Sequence, residues 1–307
     1  MGIVVVGTVF VDIKGFPESA YIPTGRNAGR IEYVHGGVAR NVVEDIANIE
    51  LRPTFVSIVD DSSLGKDVVE KLERHKVNVD YVKACPNGMG TWLAVFDERG
   101  DVAGSISCRP DATPILEVLE EKGDEIFANA ESVIIEIDLH KEIVKKLFDL
   151  AEKYQTKTYA LVSNMSIAVE RRDFLKKLDC VICNEQEAGI LFLDDYSQKT
   201  PDELKDIIGE KIKYAGISSM IVTMGAQGAV YADSEGNCGV CPAKKVAVKD
   251  TTGAGDAFCA GAVAGLTYGK TLPEAIQIGT TLAASVITSS ENVCPRFLPE
   301  ELGLHIV

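Results

Sequence analysis

Basic residues are in short supply in this chain of 307 residues, which has 31 lysine and arginine side chains against 46 aspartate and glutamate side chains. The formal charge of −15 argues against nucleic acid or an anionic membrane as the main partner and leaves a small molecule as the expected ligand. Long apolar runs are also missing, because no stretch approaches the roughly 20 apolar residues of a membrane helix. Residues 1–7 lack the basic segment and cleavage site of a signal peptide, so we expect a cytoplasmic protein.

A Walker-type phosphate loop is absent as well. Gly269-Lys-Thr271 matches the end of that motif, but Ala264 stands where its first glycine is required. The tripeptide also follows a helical pattern rather than a strand. The sequence therefore excludes a P-loop nucleotide site at this position.

Eight cysteines include two Cys-x-x-Cys pairs, Cys180/Cys183 and Cys238/Cys241. A zinc site is one interpretation, although the pairs lie much farther apart than those of a zinc ribbon. The first pair lies in an apolar run, where cysteine behaves as a small hydrophobic residue. In a cytoplasmic protein these thiols stay mostly reduced, and the sequence leaves the role of both pairs open.

Apolar runs suited to buried strands alternate with segments of helical periodicity. The predicted strands are Ile3–Asp12, Thr54–Val59, Ser132–Ile137, Thr158–Val162, Cys180–Cys183 and Met220–Thr223. The predicted helices include Ala39–Ile49, Gly65–His75, Lys141–Tyr154 and Pro201–Tyr214. This alternation predicts one α/β domain over residues 1–307, with a mainly parallel central sheet between two layers of helices.

Two stretches depart from that rhythm and alternate like half-exposed antiparallel strands, residues 28–35 and 90–107. We expect them to form a small β-sheet that stands off the main domain as a lid, from approximately residues 14–35 and 88–108. A further hairpin is predicted over Ala229–Cys241. Because exposed sheet edges tend to be paired, two lids could join in a homodimer, whereas a monomer closed by its own lid agrees equally well with the sequence.

The segment richest in chemical information is Asp250-Thr-Thr-Gly-Ala-Gly-Asp256, which leads into a helical pattern. The glycines bring bare N–H groups to a helix entrance, where the helix dipole favours an anion. Asp256 in such a phosphate cradle is either an ordinary acid in the first turn of the helix or a general base that takes a proton from an attacking hydroxyl group. The residues alone leave both interpretations open.

This segment resembles the second signature of the PfkB/ribokinase family of carbohydrate and nucleoside kinases, whose pattern is D-T-x-G-A-G-D. The resemblance extends along nearly the whole chain. Gly36–Asn41 resembles the first signature, a pair of glycines followed by asparagine, and Asp12 stands where the family places a substrate-binding aspartate. Asn184–Glu187 is similar to the family's N-x-x-E motif, and Thr223–Gly228 to its nucleotide-side turn.

The resemblance implies a ribokinase-like three-layer α/β/α fold with a small β-sheet lid. It also implies an ATP-dependent kinase that phosphorylates a hydroxymethyl group of a small sugar or nucleoside. Asp256 would be the catalytic base, beside an anion hole of Gly253, Ala254 and Gly255. The expected substrate-binding residues are Asp12, Gly36, Gly37, Asn41 and Asp138. The expected nucleotide-binding residues are Asn184, Glu187, Thr223, Gly225 and Gly228.

Metal ions follow from the same resemblance. Glu187 would bind Mg²⁺ through water, since Mg²⁺ keeps several of its waters. Asp250 and Thr252 would hold a monovalent cation such as K⁺ next to the anion hole. Glu187 also has a structural alternative, since it could start a helix, and so does the expected substrate residue Asp138, which could cap the helix that follows it.

The sequence does not identify the molecule that accepts the phosphoryl group. Residues 25–41 are more similar to the pseudouridine kinases of the family than to ribokinase, which typically has lysine after the glycine pair, and residues 290–295 resemble a nucleoside-kinase segment. Trp92, the single tryptophan, could stack on a base or only pack within the lid. The alternatives are a sugar kinase, a pseudouridine or other nucleoside kinase, and a non-catalytic sugar-binding regulator on the same fold.

Overall fold

The fold is taken from a computed structural model that describes residues 2–162, 164–170 and 172–305. The strands are β1 (Gly2–Val6), β2 (Phe10–Pro17), β3 (Gly29–Gly36), β4 (Thr54–Val59), β5 (Asn78–Ala84), β6 (Gly90–Phe96), β7 (Val102–Cys108), β8 (Ala130–Glu136), β9 (Lys157–Leu161), β10 (Cys180–Asn184), β11 (Ser219–Thr223), β12 (Ala229–Asp233) and β13 (Cys238–Cys241). The helices are α1 (Val38–Asn48), α2 (Ser63–Arg74), α3 (Thr113–Phe127), α4 (Lys141–Tyr154), α5 (Met165–Val169), α6 (Arg172–Leu175), α7 (Glu185–Phe192), α8 (Pro201–Ala215), α9 (Ala254–Thr267) and α10 (Leu272–Ile287).

In the described ranges, nine strands form one sheet in the order β13-β12-β11-β10-β9-β8-β1-β4-β5. The strands from β11 to β5 in that order are parallel, and the hairpin β12–β13 continues the sheet as antiparallel strands. The predicted α/β architecture is therefore confirmed. The hairpin predicted over Ala229–Cys241 is also present, at the edge of this large sheet.

Helices cover both faces of the large sheet because its central strands are apolar on both sides. In β1, Val4 and Val6 point into a core shared with α3, α4 and α8, whereas Ile3 and Val5 point into a second core shared with α1, α9 and α10. Successive side chains of a strand alternate between its faces, so one continuous apolar run supplies both cores. The result is three layers.

The first predicted strand, Ile3–Asp12, was wrong in its extent, because β1 ends at Val6 and β2 starts at Phe10 in a different sheet. The chain leaves the large sheet at Gly7, where an added side chain would overlap Ala39 and Glu136. Asp12 consequently lies within the small sheet rather than at the end of a core strand. Periodicity could not reveal this break, since the residues on both sides of it are apolar.

The small sheet has the order β3-β2-β6-β7 and consists of the segments that the sequence assigned to a lid, together with residues 10–13. Register places Asp12 beside Trp92, and Trp92 beside Ser107, on one face. The row Tyr33, Ile13, Leu93 and Ile106 lies on the opposite face. We call these the inner face and the outer face.

The two Cys-x-x-Cys pairs lie on β10 and β13, with two strands of the large sheet between them. Neighbouring strands are about 4.8 Å apart, so three spacings, roughly 14 Å, separate the pairs and they cannot share one metal ion. Within residues 2–162, 164–170 and 172–305, no helix is both long enough and apolar enough to cross a membrane.

Candidate active site

The predicted phosphate cradle lies at the entrance of α9, beyond the carboxyl ends of the parallel strands, where open α/β sheets bind ligands. Gly253 precedes the helix with φ 81°, a left-handed conformation that favours glycine. A side chain on Gly253 would also overlap the carbonyl oxygen of Asn292, whereas beside Gly255 no other part of the chain lies within 4 Å of an added Cβ atom. The entrance of α9 is therefore open beside Gly255.

Asp256 is the third residue of α9, and its Oδ2 accepts a hydrogen bond of 2.7 Å from Nδ2 of Asn41. Burial raises the pKa of Asp256 to about 6, although the hydrogen bond from Asn41 and the charge of Arg40 oppose the rise. The negative charges of Glu187 and Asp12 add to it. Asp256 thus lies at the meeting point of predicted substrate and nucleotide residues, ionised at neutral pH but close to its protonation range.

Asn292 joins the C-terminal segment to the same group. Its Nδ2 donates to the carbonyl oxygen of His35 at 3.0 Å and to Oδ1 of Asn41 at 3.3 Å. The second bond orients the amide of Asn41 so that its Nδ2 faces Asp256. Sequence reasoning did not select Asn292, although it lies in the segment 290–295 that resembles nucleoside kinases.

Arg40 is a second residue that sequence reasoning missed. It is fully buried, donates to Oε2 of Glu44 at 2.7 Å, and donates to the carbonyl oxygens of His35 and Gly36. These bonds fix the end of β3 against α1. Its position inside the motif Gly36–Asn41 was the available signal, but the burial of its guanidinium group depends on the fold.

Asp12 faces the glycine pair from the neighbouring strand of the small sheet. A side chain on Gly36 would overlap the Asp12 carboxylate, and Gly37 has φ 94°, so both positions require glycine. Burial raises the pKa of Asp12 in spite of the positive charges of Lys14 and Arg40. Asp12, Gly36, Gly37 and Asn41 therefore lie together as one polar cluster on the side of Asp256 that faces the small sheet.

Asp138 lies just beyond β8 and is buried, and it forms an ion pair with the partly exposed Arg109, the residue that follows β7. Next to it, Glu136 accepts a 2.7 Å hydrogen bond from the backbone N–H of Thr8. The helix-capping alternative for Asp138 receives no support, because His140 is the residue that precedes α4. Sequence reasoning selected neither Arg109 nor Glu136. A glutamate inside an apolar strand was the signal that could have identified Glu136.

The predicted nucleotide residues Thr223, Gly225 and Gly228 line one cleft with Ala254 and Gly255 of the cradle, and its volume is about 410 Å³. Apolar side chains from α9, α10 and the segment after β13 complete the walls of the cleft: Val246, Val248, Phe258, Ala283 and Ile287. Apolar walls together with the N–H groups of the predicted cradle suit a ligand that has an apolar ring and an anionic tail.

Asn184 and Glu187 form a reciprocal cap at the start of α7, with two hydrogen bonds of 2.8 Å. The structural alternative for Glu187 is therefore present, yet its charge also raises the pKa of Asp256, so its carboxylate lies within electrostatic reach of the cradle. In the cation segment, Asp250 Oδ1 accepts a 2.9 Å bond from the N–H of Thr252. Both residues of that segment are exposed.

The family model described as pfkB family carbohydrate kinase matches residues 2–294. The chain belongs to the PfkB family. It is a phosphotransferase that acts on a hydroxyl acceptor, and family membership implies ATP as the phosphoryl donor.

Individual relatives add detail. A guanosine-inosine kinase of Exiguobacterium acetylicum is 35% identical over 292 residues, which are 94% of this chain and 95% of the relative. A pseudouridine kinase of Escherichia coli K12 is 24% identical over 279 residues, covering 90% and 87% of the two chains. Among solved structures, Arabidopsis thaliana ribokinase complexed with ribose and ATP has a TM-score of 0.82 at 20% identity, covering 98% and 97%. The predicted ribokinase-like fold and family are confirmed.

Proposed function

We propose that this PfkB kinase is an ATP-dependent nucleoside kinase, which transfers the γ-phosphate to the exocyclic hydroxymethyl group of a purine nucleoside such as guanosine or inosine. The observation that carries the proposal is the position of Asp256, which accepts a hydrogen bond from Asn41 of the polar cluster and directly follows Ala254 and Gly255 in the lining of the cleft. The relative that is 35% identical over nearly the whole chain, a guanosine-inosine kinase, supports the purine nucleoside as acceptor. We expect the enzyme to work in the cytoplasm, where its free cysteines stay reduced.

In this proposal Asp12 and Asn41 hold the vicinal hydroxyls of the ribose, as acceptor and donor of hydrogen bonds. The hydroxymethyl group then points at Asp256, which takes its proton as the oxygen attacks the γ-phosphorus. Gly253, Ala254 and Gly255 present N–H groups and the positive end of α9 to the transferring oxygens. Asn292 keeps the amide of Asn41 in the orientation that this arrangement needs.

The proposal also includes two cation sites. Glu187 uses Oε2 for the cap of α7, which leaves its other oxygen to bind the waters of an Mg²⁺ ion that accompanies ATP. Asn184, Thr223, Gly225 and Gly228 would then border the nucleotide. Asp250 and Thr252 would contribute oxygens to a K⁺ site behind the cradle.

The test is the release of ADP with a panel of acceptors: guanosine, inosine, adenosine, pseudouridine, ribose and fructose. We expect the highest kcat/KM with guanosine or inosine, because their vicinal ribose hydroxyls match the hydrogen-bonding groups of Asp12 and Asn41. Highest activity with pseudouridine or with a free sugar would replace the proposed acceptor. No turnover with any acceptor would favour the sugar-binding regulator.

We also propose that the small sheet is a lid, and that two copies of the chain form a homodimer in which the outer faces of their small sheets are in contact. In that face Tyr33, Leu93 and Ile106 are 61%, 41% and 69% exposed, in one row across the sheet. Neither that row nor its neighbours, Val11, Ile31, Thr91, Val95 and Cys108, contain Asp, Glu, Lys or Arg. In a chain of charge −15, two copies meet there with little repulsion, and a two-fold axis pairs the same patch with itself.

Sedimentation at several concentrations should show a dimer, and Leu93→Lys should shift it to a monomer, because the substitution buries a charge in the apolar contact. Tyr214→Lys is the control, since Tyr214 is 96% exposed on α8, away from the small sheet. A monomer at every concentration of the unmodified protein would rule out this pairing and leave a lid that closes on its own chain.

A further inference from the structure

One face of α1 carries three polar side chains that are all buried, Asn41, Asp45 and Asn48. Their spacing of four and three residues places them in one row along the helix. Buried polar atoms cost free energy unless they are hydrogen-bonded. Each member of this row is bonded to the C-terminal segment 292–294, which therefore lies along α1.

The bonds follow the row in order. Nδ2 of Asn292 donates to Oδ1 of Asn41 at 3.3 Å. The N–H of Cys294 donates to Oδ1 of Asp45 at 2.6 Å, and the carbonyl oxygen of Cys294 accepts a bond of 2.7 Å from Nδ2 of Asn48. The backbone of Cys294 is therefore fixed at both its donor and its acceptor, two residues from Asn292.

The same segment contacts the predicted phosphate cradle. A side chain on Gly253 would overlap the carbonyl oxygen of Asn292, so the two stretches of backbone meet at the entrance of α9. Asn41 in turn donates from Nδ2 to Asp256, the third residue of α9. The position of segment 292–294 consequently affects both the orientation of the Asn41 amide and the start of α9.

Asp45 differs from the other two members of the row because it is an acid. It is fully buried, and its Oδ2 has no hydrogen-bond partner in the part of the chain that the structure describes. Burial raises the pKa of Asp45 well above its usual value, although the hydrogen bonds from Cys294 oppose the rise, and the negative charges of Asp256 and Glu44 add to it. These effects favour the neutral acid, which can still accept the bond from Cys294.

We propose that Asp45 is a positioning residue for phosphoryl transfer. It fixes segment 292–294 on α1, and this segment keeps the amide of Asn41 directed at Asp256. Asp45 is fully buried and therefore acts on the reaction only through these neighbours. The inference rests on the proposed role of Asp256 as the base.

The test compares Asp45→Leu with Asp45→Asn. Leucine has no acceptor, so the N–H of Cys294 loses its partner, whereas asparagine keeps an oxygen in the same place. We expect Asp45→Leu to lower kcat by roughly ten- to a hundredfold, the effect of a small displacement of a reacting group. Asp45→Asn should stay within a few-fold of the unmodified enzyme, and the KM for ATP should change little in both variants.

The pH profile separates positioning from a mere loss of stability. The hydrogen bond from Asn41 lowers the pKa of Asp256, so its weakening should raise that pKa above about 6. The acidic limb of kcat/KM should therefore move to higher pH in Asp45→Leu and stay in place in Asp45→Asn. The other titratable and charged groups that act on Asp256 are the same in both variants: Arg40 on α1, Asp12 on β2, Glu187 on α7 and Cys259 on α9.

Thr156→Val is the matched control for the loss of a buried hydrogen bond. Oγ1 of Thr156 donates to the carbonyl oxygen of Ala130 at 3.1 Å, just before the amino end of β9 and at the edge of the large sheet opposite to the candidate site. The melting temperature of this variant should fall, whereas kcat and the acidic limb should stay unchanged.

Asn292→Ala tests the same contacts without a change on α1. It removes the donor to Asn41, so it should lower kcat and move the acidic limb in the same direction as Asp45→Leu. Should Asp45→Leu fail to fold, an unchanged pH profile in Asn292→Ala would still overturn the proposal.

The remaining outcomes distinguish this inference from the assignment of the base. An unchanged kcat in Asp45→Leu, or an equal loss in Asp45→Leu and Asp45→Asn, overturns the role of Asp45 alone. Full activity of Asp256→Asn removes the base and the role of Asp45 with it.

Discussion

Asp256→Asn is expected to lower kcat by roughly a hundred- to ten-thousandfold, the range that general base catalysis contributes. The amide has the same shape as the carboxylate and can still accept the hydrogen bond from Asn41, but it cannot take a proton from the attacking hydroxyl group. The affinity for ATP should stay within a few-fold, since the cleft around Thr223 and Gly225 is untouched. Single-turnover kinetics and calorimetric titration with a non-hydrolysable ATP analogue measure the two effects separately.

The pH dependence of the unmodified enzyme provides an independent check on Asp256. Because burial raises its pKa to about 6, kcat/KM should fall as the pH drops through 6, where the base becomes protonated. If the base were an exposed carboxyl group of ordinary pKa, the rate would stay unchanged down to about pH 4. Full activity of Asp256→Asn, or a rate that is flat between pH 7 and pH 5, would contradict the assignment of the base.

Gly253→Ala is the second substitution with a large expected effect. Alanine at φ 81° costs about 1–2 kcal/mol, and its methyl group would overlap the carbonyl oxygen of Asn292 as well. Either the entrance of α9 or the segment that contains Asn292 must move. We expect a loss of about 2 kcal/mol or more of unfolding free energy and a fall in kcat of roughly a hundredfold, since a small displacement of the cradle misplaces the phosphate.

Gly255→Ala is its matched control in the same turn. Gly255 lies inside α9 without a positive φ, and apart from its neighbours and the backbone of α9 itself no atom lies within 4 Å of the position of the added methyl group. Stability should therefore be retained or rise by up to about 1 kcal/mol, the usual gain of alanine over glycine in a helix. The methyl group would, however, narrow the space in front of the N–H groups, so turnover with ATP should still fall.

Thermal unfolding and steady-state kinetics on the same preparations distinguish these two glycines. Loss of both stability and turnover in Gly253→Ala, with loss of turnover alone in Gly255→Ala, is the expected pattern. An unaffected melting temperature in Gly253→Ala would mean that the cradle does not depend on the left-handed entrance of α9.

The family, the fold class and the helix that starts after Asp250–Gly253 could be predicted from the sequence because they depend on neighbouring residues. The glycines, Asp256 and the start of α9 lie within Asp250–Asp256, so local geometry brings the N–H groups together whatever the rest of the chain does. The alternation of apolar strands and amphipathic helices likewise reports a parallel sheet directly, since each element must bury its own apolar face.

Tertiary structure decided the contacts between distant residues. It paired Asn292 with Asn41, Arg40 with the carbonyl oxygen of His35, and Arg109 with Asp138, and no spacing in the sequence records such pairs. A hydrogen bond needs its two atoms within about 3 Å, a condition that only the packed chain satisfies.

The extent of the first strand shows the same division between what the sequence determines and what the tertiary structure determines. The residues of 3–12 are suited to β-structure throughout, and this property belongs to the sequence. The break at Gly7 arises where Ala39 and Glu136 leave no room for a side chain, so the packing of α1 and β8 sends Asp12 into the small sheet. By itself the sequence determined which residues can build a phosphate cradle in a PfkB kinase. Folding decided which side chains surround it, because their separation along the chain says nothing of their distance in space.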